Sequence, residues 1–244
     1  MKKGLYLILN VKIIAVLTSF LFAFVLAFIA VAAGHTVSVG NFKAVTKPVI
    51  IIDAGHGGED GGSQSAEGIL EKDINLAISL KLDKILTRYG FETVMIRDTD
   101  RMIYDEGSST VRMRKSSDLH NRMDVMKNHP GCIFLSIHQN HFSESKYNGA
   151  QVFFCKAQSG SEMLADCIQK SIVSSLQKEN TRQIKPCDSS VYLIKNAVST
   201  AVMVECGFLS NPEEANKLNN NTYQYEMALA IAKGLVNYMN SKGS

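Results

Sequence analysis

Short apolar runs alternate with helical segments along residues 48–239, and this alternation constrains the fold more than any other feature. The apolar runs are PVIIID (48–53), FETVMIRD (91–98), CIFLSI (132–137), GAQVFFC (149–155) and TAVMVEC (200–206). The helical segments are 71–90, 118–129, 161–178 and 221–239. Strands that alternate with helices of this length require crossover connections. The sequence therefore predicts a single α/β domain with a largely parallel, mixed sheet and helices on both faces.

One long polar stretch interrupts this pattern. Residues 99–117 show neither a helical nor a strand period. A structureless segment of this length in a compact domain is more often functional than idle, so it is predicted to be a surface loop that takes part in recognition.

The first 33 residues are predicted to direct export. They contain three lysines and no acid, and residues 13–33 carry no charge. An apolar helix of about 20 residues crosses a bilayer, and lysines before it favour a cytoplasmic start. The length favours a transmembrane anchor, whereas Ala30–Ala32 fits the cleavage site of a signal peptide. Residues 34–47 are then a linker, and the remainder is expected on the outer face of the cytoplasmic membrane or secreted.

Charge and cysteine content argue against two kinds of site. Three of the 26 basic residues lie in the export segment, which leaves the rest of the chain with equal numbers of basic and acidic side chains. Nucleic acid is therefore not expected as a partner, because binding it calls for a basic stripe. The five cysteines are odd in number and show no CxxC spacing, which argues against a zinc–thiolate site and a full disulfide framework.

Three predicted strands lead into a residue that can bind a metal or move a proton. The first runs into His56 in the loop AGHGGEDGG, the second into His138 and the third into Glu205, while Glu71 opens the helix after the loop. The carboxyl ends of parallel strands share one rim of the sheet, so we expect these side chains to meet. Two imidazoles, a carboxylate and an open position are typical of a catalytic zinc site. A second carboxylate can then act as general base and acid.

Other interpretations of the glycine loop stay open. Glu59 lies three residues after His56, and an HxxE pair followed by a distant histidine resembles a zinc carboxypeptidase; His141 is another rival ligand. Glu71 is preferred because a helix start fixes its backbone, whereas Glu59 lies among glycines that cost entropy to order. The loop matches neither GxGxxG nor GxxxxGK[ST], so a phosphate cradle is disfavoured.

Five motifs in this order carry a resemblance to a known family. They are IIDAGHGGEDGG, LEKDIN with Glu71, IRDTD, LSIHQN and VECGFLSNPEEANKL. Together they resemble the zinc-dependent N-acetylmuramoyl-L-alanine amidases of the amidase-3 type. The resemblance covers about residues 48–240, expected to be the catalytic domain, and leaves 241–244 as a tail. The short form with an N-terminal apolar segment is similar to the amidases that act on spore-cortex peptidoglycan.

The resemblance implies a role for each matching residue. His56, Glu71 and His138 would bind Zn²⁺, and Glu205 would be the catalytic acid and base. The implied reaction is hydrolysis of the amide between the lactyl group of N-acetylmuramic acid and the L-alanine of the stem peptide. Asn140 and Arg122 match positions expected to support substrate or site geometry. Gln139 and His141 stand where the family commonly has small residues, which predicts a bulkier rim.

The sequence and the family resemblance also predict the partners and the location of the protein. Peptidoglycan is the expected substrate, the N-terminal segment is expected to reach the membrane, and the space around a developing spore is one expected location. An accessory or activating protein is expected because the sequence shows no wall-binding repeat. Two other functions stay open: a zinc carboxypeptidase-like peptidase, and a non-catalytic wall-binding or partner-binding module on the same fold.

Overall fold

The computed structural model describes residues 13–25, 47–188 and 191–242. The chain divides into two compact units, Met1–Thr46 and Lys47–Ser244. In the first unit, residues 13–25 form a helix, α1, whose side chains are exposed. The predicted export segment over residues 1–33 falls largely outside the described residues. Among the helices that are described, none has the length and apolar character needed to cross a membrane.

The second unit contains six strands and six helices within its described residues. The strands are β1 (Ile50–Ala54), β2 (Thr93–Met95), β3 (Ile133–Asn140), β4 (Gln151–Phe154), β5 (Lys185–Pro186) and β6 (Thr200–Phe208). The helices are α2 (Glu71–Arg88), α3 (Val111–Lys127), α4 (Ser161–Ser175), α5 (Tyr192–Lys195), α6 (Pro212–Leu218) and α7 (Asn221–Lys242).

All six strands form one mixed sheet in the order β2-β1-β3-β6-β4-β5. Strands β2, β1, β3 and β6 run parallel, β4 runs antiparallel to β6, and β5 runs parallel to β4. The carboxyl ends of β1, β3 and β6 therefore lie at the same rim as the amino ends of β4 and β5. In register, His138 is the partner of Glu205, and Glu205 is the partner of Gln151.

Helices cover both faces of the sheet, as the alternation of apolar runs predicts. Ile50 and Ile52 of β1 point into a cluster formed with α2, α4 and α7, whereas Ile51 points into a second cluster formed with α3 and α5. Every residue of β1 is buried, which explains why its sequence reads as one continuous apolar run rather than as an alternation.

The predicted loop over residues 99–117 is shorter in the structure, because α3 begins at Val111 rather than at 118. The side chain of Thr110 accepts a hydrogen bond from the backbone N–H of Met113 at 3.2 Å and so caps the helix. Residues 111–113 are exposed, so this first turn carries no apolar stripe that would mark it as a helix in sequence.

Gly234 sets how closely α7 can approach α4. A Cβ atom added there would lie 2.5 Å from the Cα atom of Ile168, and backbone cannot yield as a flexible side chain can. Replacing glycine by alanine inside an exposed helix ordinarily stabilises it by about 0.5–1 kcal/mol. The contact at Gly234 reverses that expectation.

We therefore expect Gly234→Ala to lower the free energy of unfolding by about 1–3 kcal/mol, the usual cost of overpacking a core. Denaturant unfolding followed by circular dichroism measures this change. Lys233→Ala, at an exposed position of the same helix, serves as the control and should change stability by less than about 0.5 kcal/mol. An unchanged or increased stability of Gly234→Ala would contradict the close approach of α7 to α4.

Candidate active site

The glycine-rich loop after β1 carries His56 in a backbone conformation that few residues other than glycine adopt. His56 has a φ of 62°, and it is the one non-glycine residue with positive φ in the described part of the chain. Such strain is maintained where surrounding contacts overdetermine the backbone, and it often marks a functional site. The loop therefore holds one imidazole at the rim against its own conformational preference.

Two glycines make room for the side chains that gather here. A Cβ atom at Gly55 would lie 2.3 Å from the ring of His138. One at Gly62 would lie 2.6 Å from Oε2 of Glu71 and 2.7 Å from the ring of His56. The glycines of this loop are thus required both for its backbone and for the approach of side chains to it.

His56, Glu71 and His138 converge although 82 positions separate the first from the last. Oε1 of Glu71 lies 3.2 Å from Nε2 of His56 and 2.9 Å from Nδ1 of His138. The three side chains offer ligand atoms that all lie within 4.8 Å of one another, an arrangement that can hold a metal ion. The structure therefore brings together the three side chains that the sequence predicted as ligands.

Glu71 is buried at the first position of α2, and backbone and side-chain donors hold its carboxylate. Oε2 accepts the backbone N–H of Ser63 at 2.8 Å, and Oε1 accepts the backbone N–H of Gln139 at 3.2 Å. Although burial opposes it, hydrogen bonds to His138 and His56 and the charge of these imidazoles hold the pKa of Glu71 well below its usual range. Glu71 is therefore a fixed anion.

Glu59 and His141, the rival ligands, lie outside this cluster. The carboxylate of Glu59 accepts two hydrogen bonds from the guanidinium of Arg114, at 2.7 and 3.0 Å. His141 is exposed just after the end of β3. The geometry therefore favours Glu71 over Glu59 as the carboxylate between the two imidazoles.

Asp60 orients His56 from the side away from the cluster. Nδ1 of His56 lies 2.9 Å from Oδ2 of Asp60, and Lys115 reaches the other oxygen at 2.7 Å. Against the effect of burial, the carboxylates of Asp60 and Glu71 raise the pKa of His56 to about 9. A carboxylate bound to one ring nitrogen fixes which nitrogen faces a metal. Sequence reasoning missed Asp60, although an acid four residues after a histidine in a glycine loop was a readable signal.

Arg122, predicted to support the site, is buried beneath the loop. Its guanidinium pairs with the carboxylates of Asp53 and Asp118 and donates to the backbone carbonyl of His56 at 2.8 Å. Although burial disfavours its charge, the two aspartates raise the pKa of Arg122. This arginine holds the loop from below and touches none of the three clustered side chains.

Arg97 has a similar role that the sequence did not reveal. It is fully buried in the IRDTD segment and donates to the carbonyls of Ala54, Gly55 and Lys72 at 2.8, 2.9 and 2.8 Å. Arg97 lies just after β2, and a single arginine in the sequence gave no indication that its partners would be backbone carbonyls of other segments.

Gln139 takes a different place from the one expected, whereas the supporting role of Asn140 stays a prediction. Asn140 ends β3, and its backbone carbonyl accepts the N–H of Leu209 at 2.8 Å. Gln139 is buried and donates through its amide to Asn75 at 3.0 Å. The predicted bulkier rim therefore does not come from Gln139, whose side chain points into the interior toward α2.

Glu205 lies on β6 directly beside His138, and its side chain is half-buried. Its Oε2 atom is inaccessible to solvent and has no hydrogen-bond partner among the described residues. Burial raises the pKa of Glu205 to about 7, despite the nearby imidazoles of His138 and His56. A buried carboxyl without a fixed partner, beside a cluster of ligand atoms, is suited to exchanging a proton near neutral pH.

A mixed α/β sheet with a His–Glu–His cluster and a separate buried carboxyl at one rim is the arrangement of a hydrolase. Residues 50–237 match the family described as N-acetylmuramoyl-L-alanine amidase. The chain belongs to this family.

Three relatives illustrate the match. The germination-specific N-acetylmuramoyl-L-alanine amidase of Bacillus subtilis is 33% identical over 195 residues, which are 80% of this chain and 81% of that protein. The CwlD amidase from Clostridioides difficile, solved in complex with the GerS lipoprotein, is 40% identical with a TM-score of 0.77 and covers 80% of this chain and 100% of that chain. The catalytic domain of CwlV from Bacillus (Paenibacillus) polymyxa is 28% identical with a TM-score of 0.67 and covers 80% and 99%.

A matched pair of substitutions tests which carboxylate binds zinc, that of Glu71 or that of Glu59. We expect Glu71→Gln to weaken zinc binding by more than the roughly 10- to 100-fold typical of residues outside the ligand set. Glu59→Gln should leave zinc binding nearly unchanged, because its partner is Arg114. Metal content after equilibrium dialysis measures both. Full zinc content in Glu71→Gln, with loss in Glu59→Gln, would reverse the assignment.

Proposed function

We propose that this chain hydrolyses the amide between N-acetylmuramic acid and the L-alanine of the stem peptide, with zinc held by His56, Glu71 and His138. The observation that carries the proposal is the buried, unpartnered carboxyl oxygen of Glu205 beside these three side chains. Glu205 would take a proton from the attacking water and pass it to the leaving amine.

The donor set fits zinc. Ligands at about 2.0–2.1 Å around a tetrahedral ion lie roughly 3.3 Å from one another. The oxygen of Glu71 lies 3.2 and 2.9 Å from the two imidazole nitrogens, close to that spacing, and all three ligand atoms lie within 4.8 Å of one another. Two nitrogens and one carboxylate leave a position for solvent or substrate, as catalytic rather than structural zinc sites do.

When bound, zinc supplies a Lewis acid that polarises the scissile carbonyl and acidifies the attacking water. The residues of the chain supply the rest. Asp60 fixes the ring of His56 through Nδ1, and the N–H groups of Ser63 and Gln139 fix Glu71. Glu205, whose pKa is raised by burial, can accept a proton and release it within one turnover.

The two other functions differ from this proposal at specific residues. A carboxypeptidase-like site would use Glu59, which binds Arg114 and is exposed instead. A binding module would have no need of the buried carboxyl of Glu205. Incubation with purified peptidoglycan, followed by detection of newly exposed amino groups on alanine, separates a hydrolase from a binding module; release that a chelator abolishes supports zinc hydrolysis.

Location and partners are proposed from the relatives and the sequence together. We infer an exported protein that acts on peptidoglycan outside the cytoplasm, with residues 1–33 as signal peptide or anchor, 34–47 as linker and 48–240 as catalytic domain. The name of the B. subtilis relative supports a role in spore cortex. The complex of the C. difficile relative with a lipoprotein supports an accessory protein here as well.

Replacing Glu205 by glutamine tests the catalytic role without altering shape. We expect Glu205→Gln to keep its zinc and to lose about 10²- to 10⁴-fold in kcat, because the amide cannot accept the water's proton. Metal content and hydrolysis of a muramoyl-peptide are measured on the same sample. Glu162→Gln, an exposed position at the start of α4, is the matched control and should keep full activity. Near-normal turnover of Glu205→Gln would refute the assignment.

A further inference from the structure

A cavity of about 460 Å³ lies at the same rim as the catalytic cluster, on its β4–β5 side. Its lining includes Lys146, Arg182 and Lys185 as cations, Glu179 as the single acid, and Gln151 at the start of β4. Because β4 is antiparallel to β6, the amino ends of β4 and β5 lie beside the carboxyl end of β6. The cavity therefore lies at the rim that carries Glu205.

Register places the cavity close to Glu205 and on the same face of the sheet. Gln151 is the direct cross-strand partner of Glu205, so both side chains emerge on one face. Lys185 is the partner of Phe153, which lies two residues from Gln151 and so on that face as well. With neighbouring strands about 4.8 Å apart, the cavity lies on the order of 10 Å from the Glu205 carboxyl.

Arg182 is held in place with part of its guanidinium uncommitted. Its Nε donates to the carbonyl of Asn148 at 2.7 Å, and its plane lies 4.4 Å from the ring centre of Phe208. Nη1 reaches Gln151 only at 3.4 Å. Within the described residues no carboxylate forms an ion pair with Arg182, although Glu214 is near enough for the two charges to influence each other. A fixed arginine fork is a ready carboxylate site.

Three cations near the catalytic cluster are already neutralised. Lys115 pairs with Asp60, Arg114 with Glu59 and Lys72 with Asp100. Lys185, by contrast, is exposed and has no ion pair among the described residues. Within the cavity Lys146 pairs with Glu144, so Arg182 and Lys185 are the two lining cations without an ion pair among the described residues.

We propose that this cavity binds a carboxylate of the stem peptide and so selects acidic peptides as substrates. The inference rests on the proposed amidase function and adds to it where the peptide lies. N-acetylated sugars are neutral, whereas the peptide carries free carboxylates, so the cationic side suits the peptide. An extended peptide advances about 3.3 Å per residue, so a carboxylate two or three residues beyond the scissile amide reaches the cavity. The glycan then runs toward β1 and β2.

Lys185→Gln tests the proposal with little risk to folding, because the side chain is exposed. The substrates are an N-acetylmuramoyl-tripeptide with free carboxylates and the same compound with its carboxylates converted to amides. For the unaltered protein we expect KM for the acidic compound to be roughly three- to fivefold lower, the effect of an exposed charge pair. In Lys185→Gln and in Arg182→Gln the two KM values should become nearly equal.

Lys156→Gln is the matched control. Lys156 is also exposed, but it follows Cys155 beyond the carboxyl end of β4. It therefore lies at the opposite rim of the sheet from the cavity. In this variant the KM for the acidic compound should stay roughly three- to fivefold lower than the KM for the amidated compound, as in the unaltered protein. Equal KM values for the two compounds in the unaltered protein, or an unchanged ratio in Lys185→Gln, would overturn the proposal.

A binding measurement keeps this proposal separate from the proposed activity. The free tripeptide is titrated into the metal-free full chain by calorimetry, which requires no turnover. Weaker binding to Lys185→Gln than to Lys156→Gln supports the subsite even if neither muramoyl compound is hydrolysed, an outcome that would count against the amidase function alone. Equal binding to both variants counts against the subsite whatever the activity.

Discussion

Two buried guanidinium groups hold the loop on which the active site depends. Arg97 and Arg122 together donate to the carbonyl oxygens of Ala54, Gly55 and His56. A loop so rich in glycine loses much conformational entropy on ordering, and hydrogen bonds to a charged donor, at about 1.5–3 kcal/mol each, can offset that cost. These arginines act together with contacts inside the loop, where Gly57 and Asp60 exchange backbone hydrogen bonds and the side chain of Asp60 binds His56.

The same arrangement separates the carboxylates of the site into two kinds. Glu71 and Asp60 are stabilised as anions by imidazole, backbone N–H or lysine partners, and the pKa of each is lowered despite burial. Oε2 of Glu205 is buried without such a partner, and the pKa of Glu205 is raised to about 7. Carboxylates fixed as anions suit binding and orientation, whereas one near neutrality suits proton transfer. The environment of each side chain, rather than its type, therefore separates the roles proposed for them.

Strand and helix alternation was sufficient to predict the mixed sheet with two covered faces, because buried strands read as apolar runs. The convergence of His56, Glu71 and His138 was also predictable, since each stands at a strand end or helix start. Arg97 was not predicted, because its partners are backbone carbonyls placed by the tertiary fold, whereas Asp60 lies only four residues from its partner His56 and was missed although the sequence carried the signal. Likewise, β5 and α5 are two and four residues long, too short for any periodic pattern.

Because β4 runs antiparallel to β6, the same rim carries two different sites, the His–Glu–His cluster and the cationic cavity. Parallel strands deliver their carboxyl ends, and with them His56, His138 and Glu205, to one side. If β4 ran parallel to β6, its carboxyl end and the loop after it would lie at this rim. The antiparallel β4 instead brings its amino end, so that the loops before β4 and β5 place Lys146 and Arg182 at the rim that carries Glu205. The rim can thereby present the His–Glu–His cluster and a cationic cavity about two strands apart, along the direction in which the proposed substrate would lie.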